Sequence, residues 1–197
     1  MKSSFRFLPM CAAVGLSIGL AACGGHNSVS VGGSVTGLNY DGLTLDNNGT
    51  SLAVPKGATS YQFPNRVNVD SIYTVAILTQ PAHQGCFVAN ATGRVSGAQI
   101  DYANVTCSQL THAITGTITG FTGATGSLVI GNGTATVTPA AGATTYSLPN
   151  VPELTAYGVV IQLPQAGQTA ANCTIDPSSV ATGTMGSTDV TVNIKCM

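Results

Sequence analysis

The chain repeats itself, and this internal duplication limits its possible folds more than any other feature. Residues 33–38 match residues 116–121 at an offset of 83, and residues 57–65 match residues 142–150 at an offset of 85. The matches stay in order along the chain and their offsets drift by only a few residues. We therefore expect two homologous units, with insertions confined to loops.

Within each unit apolar residues alternate with other residues, which is the period of a β-strand that buries one face. Tyr73, Val75 and Ile77 show this spacing, and near the end of the chain so do Val190, Val192, Ile194 and Cys196. Asn-Gly pairs at 48–49 and 132–133 are typical of hairpin turns. About seven short strands in about 80 residues predict an all-β chain of two tandem antiparallel β-sandwiches of immunoglobulin-like character.

The first 22 residues have the pattern of a signal peptide and are set aside from the fold. Lys2 and Arg6 precede an apolar segment at 7–20, whose roughly 14 residues fall short of the ~20 that span a bilayer. The segment ends in Leu20-Ala21-Ala22-Cys23, which resembles the lipobox of bacterial lipoproteins. The resemblance implies cleavage before Cys23, a diacylglyceryl thioether on its thiol, and acylation of the new amino group by a chain such as palmitate.

Such an anchor predicts a firm attachment to the membrane, since each buried methylene contributes ~0.8 kcal/mol. Residue 24 is Gly, where the inner-membrane retention signal of enteric bacteria is Asp. The resemblance therefore favours the outer membrane, with residues 23–30 as a flexible lipidated tether. The alternative is an ordinary secretory signal that happens to contain a cysteine.

Charge and composition exclude two classes of protein. Only 7% of residues are charged, and without Lys2 and Arg6 four basic residues remain against seven acidic ones, a formal net charge of −3. Nucleic-acid binding needs clustered Lys and Arg, so no nucleic-acid partner is expected. The 44% hydrophobic content is equally unlike a disordered chain.

The cysteines that remain after Cys11 and Cys23 form an even set in an exported chain, which predicts two disulfides. Each unit closes with one pair: Cys86 with Cys107, and Cys173 with Cys196. Each pair is expected to tie the last strand to the one before it, with its side chains in the sandwich. The alternative, a four-cysteine metal site between the units, lacks any Cys-x-x-Cys spacing.

The unit also resembles a tandem repeat of bacterial exported proteins and lipoproteins. The resemblance is carried by Gly-x-Val-x-Gly-Leu at 33–38, Leu-x-Asn-Asn-Gly at 45–49, Tyr-x-Val-x-Ile at 73–77, Thr-Gln-Pro at 79–81, and the closing cysteines. The second unit departs from this pattern, with Gly-Asn-Gly at 131–133 and Leu-Pro-Gln at 163–165. The resemblance implies a fold and an exported location, and no activity.

No catalytic constellation is found, so neither an enzyme nor a cofactor is expected. His26, His83 and His112 are not paired at metal-ligand spacing and are interpreted as solvated surface residues. The seven acidic residues are scattered singly along the chain. The acidic segment 41–48 could offer oxygens to Ca²⁺ but lacks the spacing of a calcium loop, so a hairpin turn is favoured.

A ligand-binding surface is the alternative to a purely structural role. Five aromatic residues of the repeated strands are expected in the core: Tyr61, Phe63, Tyr73, Tyr146 and Tyr157. Alternation directs Phe87 outward, next to Cys86, and His83 lies in the loop before it. Phe87 and His83 are therefore candidate contacts for a glycan or a small ligand.

Together these features predict a lipid-anchored, non-enzymatic protein of the cell envelope, with a structural, spacer or adhesive role. The units are expected at residues 31–108 and 113–197, joined by a short connection at 108–113. The membrane, through Cys23, is the expected partner, together with a protein or glycan that the sequence does not name.

Replacing Cys23 by Ser removes the acyl acceptor, so the variant should move from the membrane fraction to the soluble fraction. In the parent, the intact mass should equal that of an acylated chain starting at Cys23, with four further thiols appearing only on reduction. A Cys23→Ser variant that fractionates with membranes as efficiently as the parent would contradict the anchor.

Overall fold

The computed structural model describes residues 27–197, so the signal peptide, Cys23 and His26 lie outside the described residues. Within this range the chain forms nineteen β-strands, and none of it forms a helix long and apolar enough to cross a membrane. The N-terminal half, residues 27–109, contains β1 (Ser28–Val29), β2 (Gly32–Thr36), β3 (Leu43–Asn47), β4 (Thr50–Val54), β5 (Ser60–Gln62), β6 (Val67–Asn68), β7 (Ile72–Thr79), β8 (Gln84–Ala89), β9 (Thr92–Arg94) and β10 (Asn104–Gln109).

The C-terminal half, residues 111–197, repeats this all-β character. It contains β11 (Thr111–Thr119), β12 (Val129–Asn132), β13 (Ala135–Val137), β14 (Thr145–Pro152), β15 (Ala156–Gln162), β16 (Cys173–Ile175), β17 (Thr182–Thr184), β18 (Val190–Thr191) and β19 (Ile194–Cys196). The expected all-β fold class is therefore confirmed.

Each half is a two-layer sandwich. In the N-terminal half, one sheet has the order β5-β2-β10-β8 and the other the order β4-β3-β7-β9, while β1 and β6 pair separately. In the C-terminal half, the sheets have the orders β14-β11-β19-β16 and β13-β12-β15-β17, with β18 also on β11. Each half has its own cluster of buried hydrophobic residues.

The sequence predicted antiparallel strand pairing throughout, but each half also contains parallel pairs. The first long strand of each half runs parallel to its last: β2 pairs with β10, and β11 pairs with both β18 and β19. A hairpin forces its two strands to be antiparallel. The first and last strands are connected through the whole sandwich instead, so no tight turn sets their relative direction.

The predicted alternation matches the burial. Tyr73 and Val75 are buried on β7, while Thr74 between them and Ala76 after them are exposed. The five aromatic residues expected in the core are all buried, and so is Phe121. Since one face of each strand is apolar, register is fixed by the side chains that must leave water.

The ends of the folded halves differ from those expected. Ser28 and Val29, placed in the tether by the sequence, form β1 and pair with β6, and Arg66 donates hydrogen bonds to the carbonyl of Ser28. Burial of Val29 in the N-terminal core explains the extension. The connection expected at 108–113 is almost entirely strand, since β10 ends at Gln109 and β11 begins at Thr111.

A tyrosine and a glycine close each sandwich at the same place. In the C-terminal half, Tyr146 lies opposite Gly116 on the neighbouring strand, and its hydroxyl donates to the carbonyl of Val192 at 2.6 Å. A Cβ on residue 116 would lie 1.9 Å from that carbonyl oxygen, so only glycine fits. Burial raises the pKa of Tyr146 to about 12, so the hydroxyl remains a donor.

The N-terminal half has the matching arrangement. The Tyr61 hydroxyl donates to the carbonyl of Ala103 at 2.6 Å, and Tyr61 lies opposite Gly33. A Cβ on residue 33 would lie 2.2 Å from the same carbonyl oxygen. Burial, with a smaller repulsion from Tyr73, raises the pKa of Tyr61 to about 12.

Tyr146→Phe should lower the free energy of unfolding by about 1–3 kcal/mol, because the carbonyl of Val192 loses a buried partner. Gly116→Ala should destabilise at least as much, by about 1–3 kcal/mol from overpacking against backbone. Gly186→Ala is the matched control, since a Cβ there meets no atom within 4 Å. Denaturant unfolding measures all three, and equal stability of the two glycine variants would contradict the tyrosine closure.

Candidate functional site

The four cysteines form the two expected disulfides. Cys86 on β8 is joined to Cys107 on β10, and Cys173 on β16 is joined to Cys196 on β19, with Cα–Cα distances of 4.0 and 3.9 Å. In each pair the two residues face each other across neighbouring antiparallel strands. The partner of the last strand is its neighbour in the sheet, rather than the strand before it in the chain. The strand before β10, which is β9, belongs to the opposite sheet, and the strand before β19, which is β18, pairs with β11 instead.

Phe87 is placed outward, as alternation predicts. It lies on β8 at the edge of its sheet, opposite Thr106, and 61% of it is exposed. The edge beside it is partly covered, because the Gln80 amide both donates to the carbonyl of Cys86 and accepts from its N–H. Phe87 is therefore available for contact, while the backbone of β8 is protected against addition of a further strand.

His83, the other candidate ligand contact, precedes β8 and has 39% of its side chain exposed. Its ring packs edge-on against Tyr40, with centroids 5.4 Å apart, and its Nδ1 contacts the carboxylate of Glu153. Gln84 holds Tyr40 in place, since its buried amide oxygen accepts hydrogen bonds from the N–H groups of Asn39 and Tyr40. His83 is thus part of the junction between the two halves.

The acidic segment 41–48 forms the hairpin that was favoured over a calcium loop. The Asp46 carboxylate accepts from the N–H of Gly49 at 2.9 Å, and the Asp41 carboxylate lies 3.7 Å from the amine of Lys56. In residues 27–197, no group of three or more His, Cys, Asp or Glu side chains is placed to hold a metal ion.

Leu110 is the single residue between β10 and β11, and its backbone bonds to both halves. Its N–H donates to the carbonyl of His83 at 2.9 Å, and its carbonyl accepts from the N–H of Glu153 at 2.9 Å. The Gln109 amide also donates to the carbonyl of Glu153. The connection is therefore fixed by hydrogen bonds on each side rather than left as a free linker.

Glu153, in the turn between β14 and β15, is the centre of this junction. Only 3% of it is exposed. One carboxylate oxygen lies 2.6 Å from Nδ1 of His83 in the N-terminal half, and the other lies 2.8 Å from Nε2 of His112 on β11. Hydrogen bonds from His112, and then from His83, hold the pKa of Glu153 below its ordinary value, against the opposing effect of burial.

Asp189 extends the cluster on the far side of His112. Its carboxylate lies 3.6 Å from Nδ1 of His112 and accepts from the N–H of Ala113 at 2.9 Å. The order His83–Glu153–His112–Asp189 alternates imidazole and carboxylate groups. We call these four residues the junction cluster. Chemically, it holds a buried negative charge by hydrogen bonds whose donors come from both halves.

Sequence reasoning found the histidines of this cluster but not their role. His112 was placed in a solvated connection, and the structure places it on β11 with 21% of its side chain exposed. In the sequence, Glu153 and Asp189 are two of seven isolated acidic residues. One signal could have pointed to the junction. Neither His83 nor His112 has a histidine at the matching position of the other unit, so both histidines depart from the repeat where the two halves meet.

Comparison with known proteins does not assign the chain to a family. No family model matches it, and no curated protein matches it. Among solved structures it is similar to the major pilin protein (T3.2) from Streptococcus pyogenes serotype GAS13637, at 8% identity and a TM-score of 0.28, over 86% of this chain and 97% of the pilin. At this TM-score the similarity supports no inference about the protein, so we infer its fold and function from its own residues.

Removing either histidine should raise the pKa of Glu153 toward its ordinary value, because each imidazole donates to the carboxylate. The rise should be larger in His112→Ala than in His83→Ala, since the hydrogen bond from His112 is the larger cause of the lowered pKa. The carboxyl carbon shift of Glu153, followed by NMR against pH, gives both values. A pKa that neither substitution moves would contradict this geometry.

Proposed function

We propose that this protein is a lipid-anchored, non-enzymatic component of the bacterial cell envelope that serves as a spacer or adhesive module. The observation that carries the proposal is the junction: the two sandwiches are joined through one residue, Leu110, which is hydrogen-bonded to both. A braced connection of this kind holds a fixed distance between the two sandwiches, whereas a free linker would let that distance vary.

The anchor belongs to the same proposal. The lipobox at 20–23 would attach an acyl group to Cys23, and the described fold begins four residues later, at Asn27. Four residues span at most about 14 Å. The N-terminal sandwich would then lie close to the membrane surface, which we propose to be that of the outer membrane.

Two copies of one unit would suit a spacer, because tandem copies add length without a new fold. Support comes from equivalent contacts in the two halves. Gly37 and Gly120 have φ angles of 76° and 77°, and a Cβ on each would press against the carbonyl of the last strand's cysteine. Likewise, the amide oxygens of Asn47 and Asn132 accept backbone N–H groups of β7 and β15.

The polar side chains support a structural rather than a catalytic role, since they serve the fold itself. The junction cluster connects the halves, Asp46 closes a hairpin, and Asp176 caps a turn by accepting from the hydroxyl and N–H of Ser178. The pKa of Asp176 is lowered by these same bonds. A hydrolytic activity of the purified chain, on a panel of ester, peptide and glycoside substrates, would overturn this part of the proposal.

A second candidate function is binding of a glycan or small ligand at Phe87. It is favoured by the exposure of this aromatic ring on the edge strand β8. Phe87→Ser should leave the free energy of unfolding within about 0.5 kcal/mol of the parent, as expected of an exposed position. On a glycan array, loss of binding in this variant alone would support the candidate, and equal binding would exclude Phe87 as its contact.

The envelope role is tested by complementing a deletion strain and measuring cell adhesion by single-cell force spectroscopy. The wild-type chain should restore adhesion, and Cys23→Ser should not. Gly24→Asp is the matched control, because it should keep the lipid but retain the protein in the inner membrane of an enteric host, and so should not restore adhesion. Full restoration by Cys23→Ser would contradict the proposal.

A further inference from the structure

We propose that the junction cluster is an acid-labile latch, which fixes the C-terminal half against the N-terminal half at neutral pH and releases it in acid. The inference concerns the folded chain alone and stands or falls independently of the lipid anchor. Its first ground is that Glu153 bonds across the junction. His83 contributes a side-chain bond to its carboxylate, and Gln109 contributes one to its carbonyl.

The second ground is the backbone on either side of the junction. His83 has a φ of 59° and Leu154 has a φ of 63°. Residues with bulky side chains rarely adopt this left-handed region, and they keep it only where surrounding contacts impose it. Here the carbonyl of His83 accepts from Leu110, and the N–H of Leu154 donates to the carbonyl of Met185. The turn at His83 therefore has a more relaxed conformation to adopt once its bonds to Leu110 and Glu153 are lost, whereas the bond of Leu154 lies within the C-terminal half.

The third ground is that the central bonds depend on the charge of one buried carboxylate. His83 faces Glu153 from the loop before β8, and His112 faces it from β11 with Asp189 behind. The uncharged groups are Gln109, on the backbone of Glu153, and Tyr40, against the ring of His83. Protonation of Glu153 in acid would leave both histidines facing a neutral group, which accepts hydrogen bonds less strongly than a carboxylate does.

The direction of the pH effect follows from the hydrogen bonds to Glu153. They hold its pKa below the ordinary value, so the carboxylate is charged and the latch is closed at neutral pH. A group of this kind stabilises above its unfolded-state pKa, and its contribution is lost as the pH falls through the lowered folded-state value. Release is therefore expected below the ordinary range of glutamate, which is about 4.3.

The test measures the orientation of the two halves in the mature chain by residual dipolar couplings at pH 7 and pH 3. In the wild type, a single orientation at pH 7 should give way to averaged couplings between the halves at pH 3. Glu153→Gln should give averaged couplings at both pH values, since the neutral amide replaces one of the two accepting carboxylate oxygens with a donor NH2 group. Asp176→Asn is the matched control: its carboxyl pKa is also lowered, but its bonds are local, so it should behave as the wild type.

His83→Ala is the second variant, in case Glu153→Gln does not fold. It removes the side-chain bond from the N-terminal half and leaves Glu153 bonded to His112 inside the C-terminal half. Couplings within each half report whether both sandwiches remain folded. If His83→Ala is folded and keeps the wild-type orientation at pH 7, or if the wild type keeps one orientation at pH 3, the latch is overturned.

Discussion

The parallel pairing of the first and last long strands of each half is the constraint on which the rest of the structure depends. It brings β2 beside β10 and β11 beside β18 and β19, and so closes each sandwich. The tyrosine hydroxyl reaches across a glycine to a backbone carbonyl next to this pairing in both halves. The disulfide then joins the last strand to its other neighbour, so that the last strand is held on both sides.

The junction follows from this closure. The last strand of the N-terminal half, β10, is followed by Leu110 and then by the first strand of the C-terminal half. A single residue therefore separates the two sandwiches. Polar groups that are buried at so short a connection must bond to each other, because otherwise they lose their hydrogen bonds to water and gain none in exchange. Glu153, His83 and His112 meet this requirement by bonding to each other, and the backbone of Leu110 bonds to both halves beside them.

Much of the fold could be predicted because it depends on local periodicity. The alternation at Tyr73 and Val75 specified which face of β7 is buried, and the phase of the cysteines placed three of the four in the core, with Cys173 partly buried against it. The candidate site could be predicted only in part. Phe87 was correctly directed outward by alternation. The contacts of His83 with Tyr40 and Glu153 could not be predicted, because a loop residue has no period from which its partner can be inferred.

The sequence by itself determined the all-β class, the buried face of the strands and the cysteines available for disulfides, since each depends on spacing along the chain. Only the tertiary structure decided that the first and last strands are parallel, that 28–29 joins the fold, and that Glu153 meets a histidine 70 residues away. These are contacts between distant segments, whose geometry is set by the packing of two sheets. No local pattern encodes that packing, so four scattered polar residues became one cluster only in three dimensions.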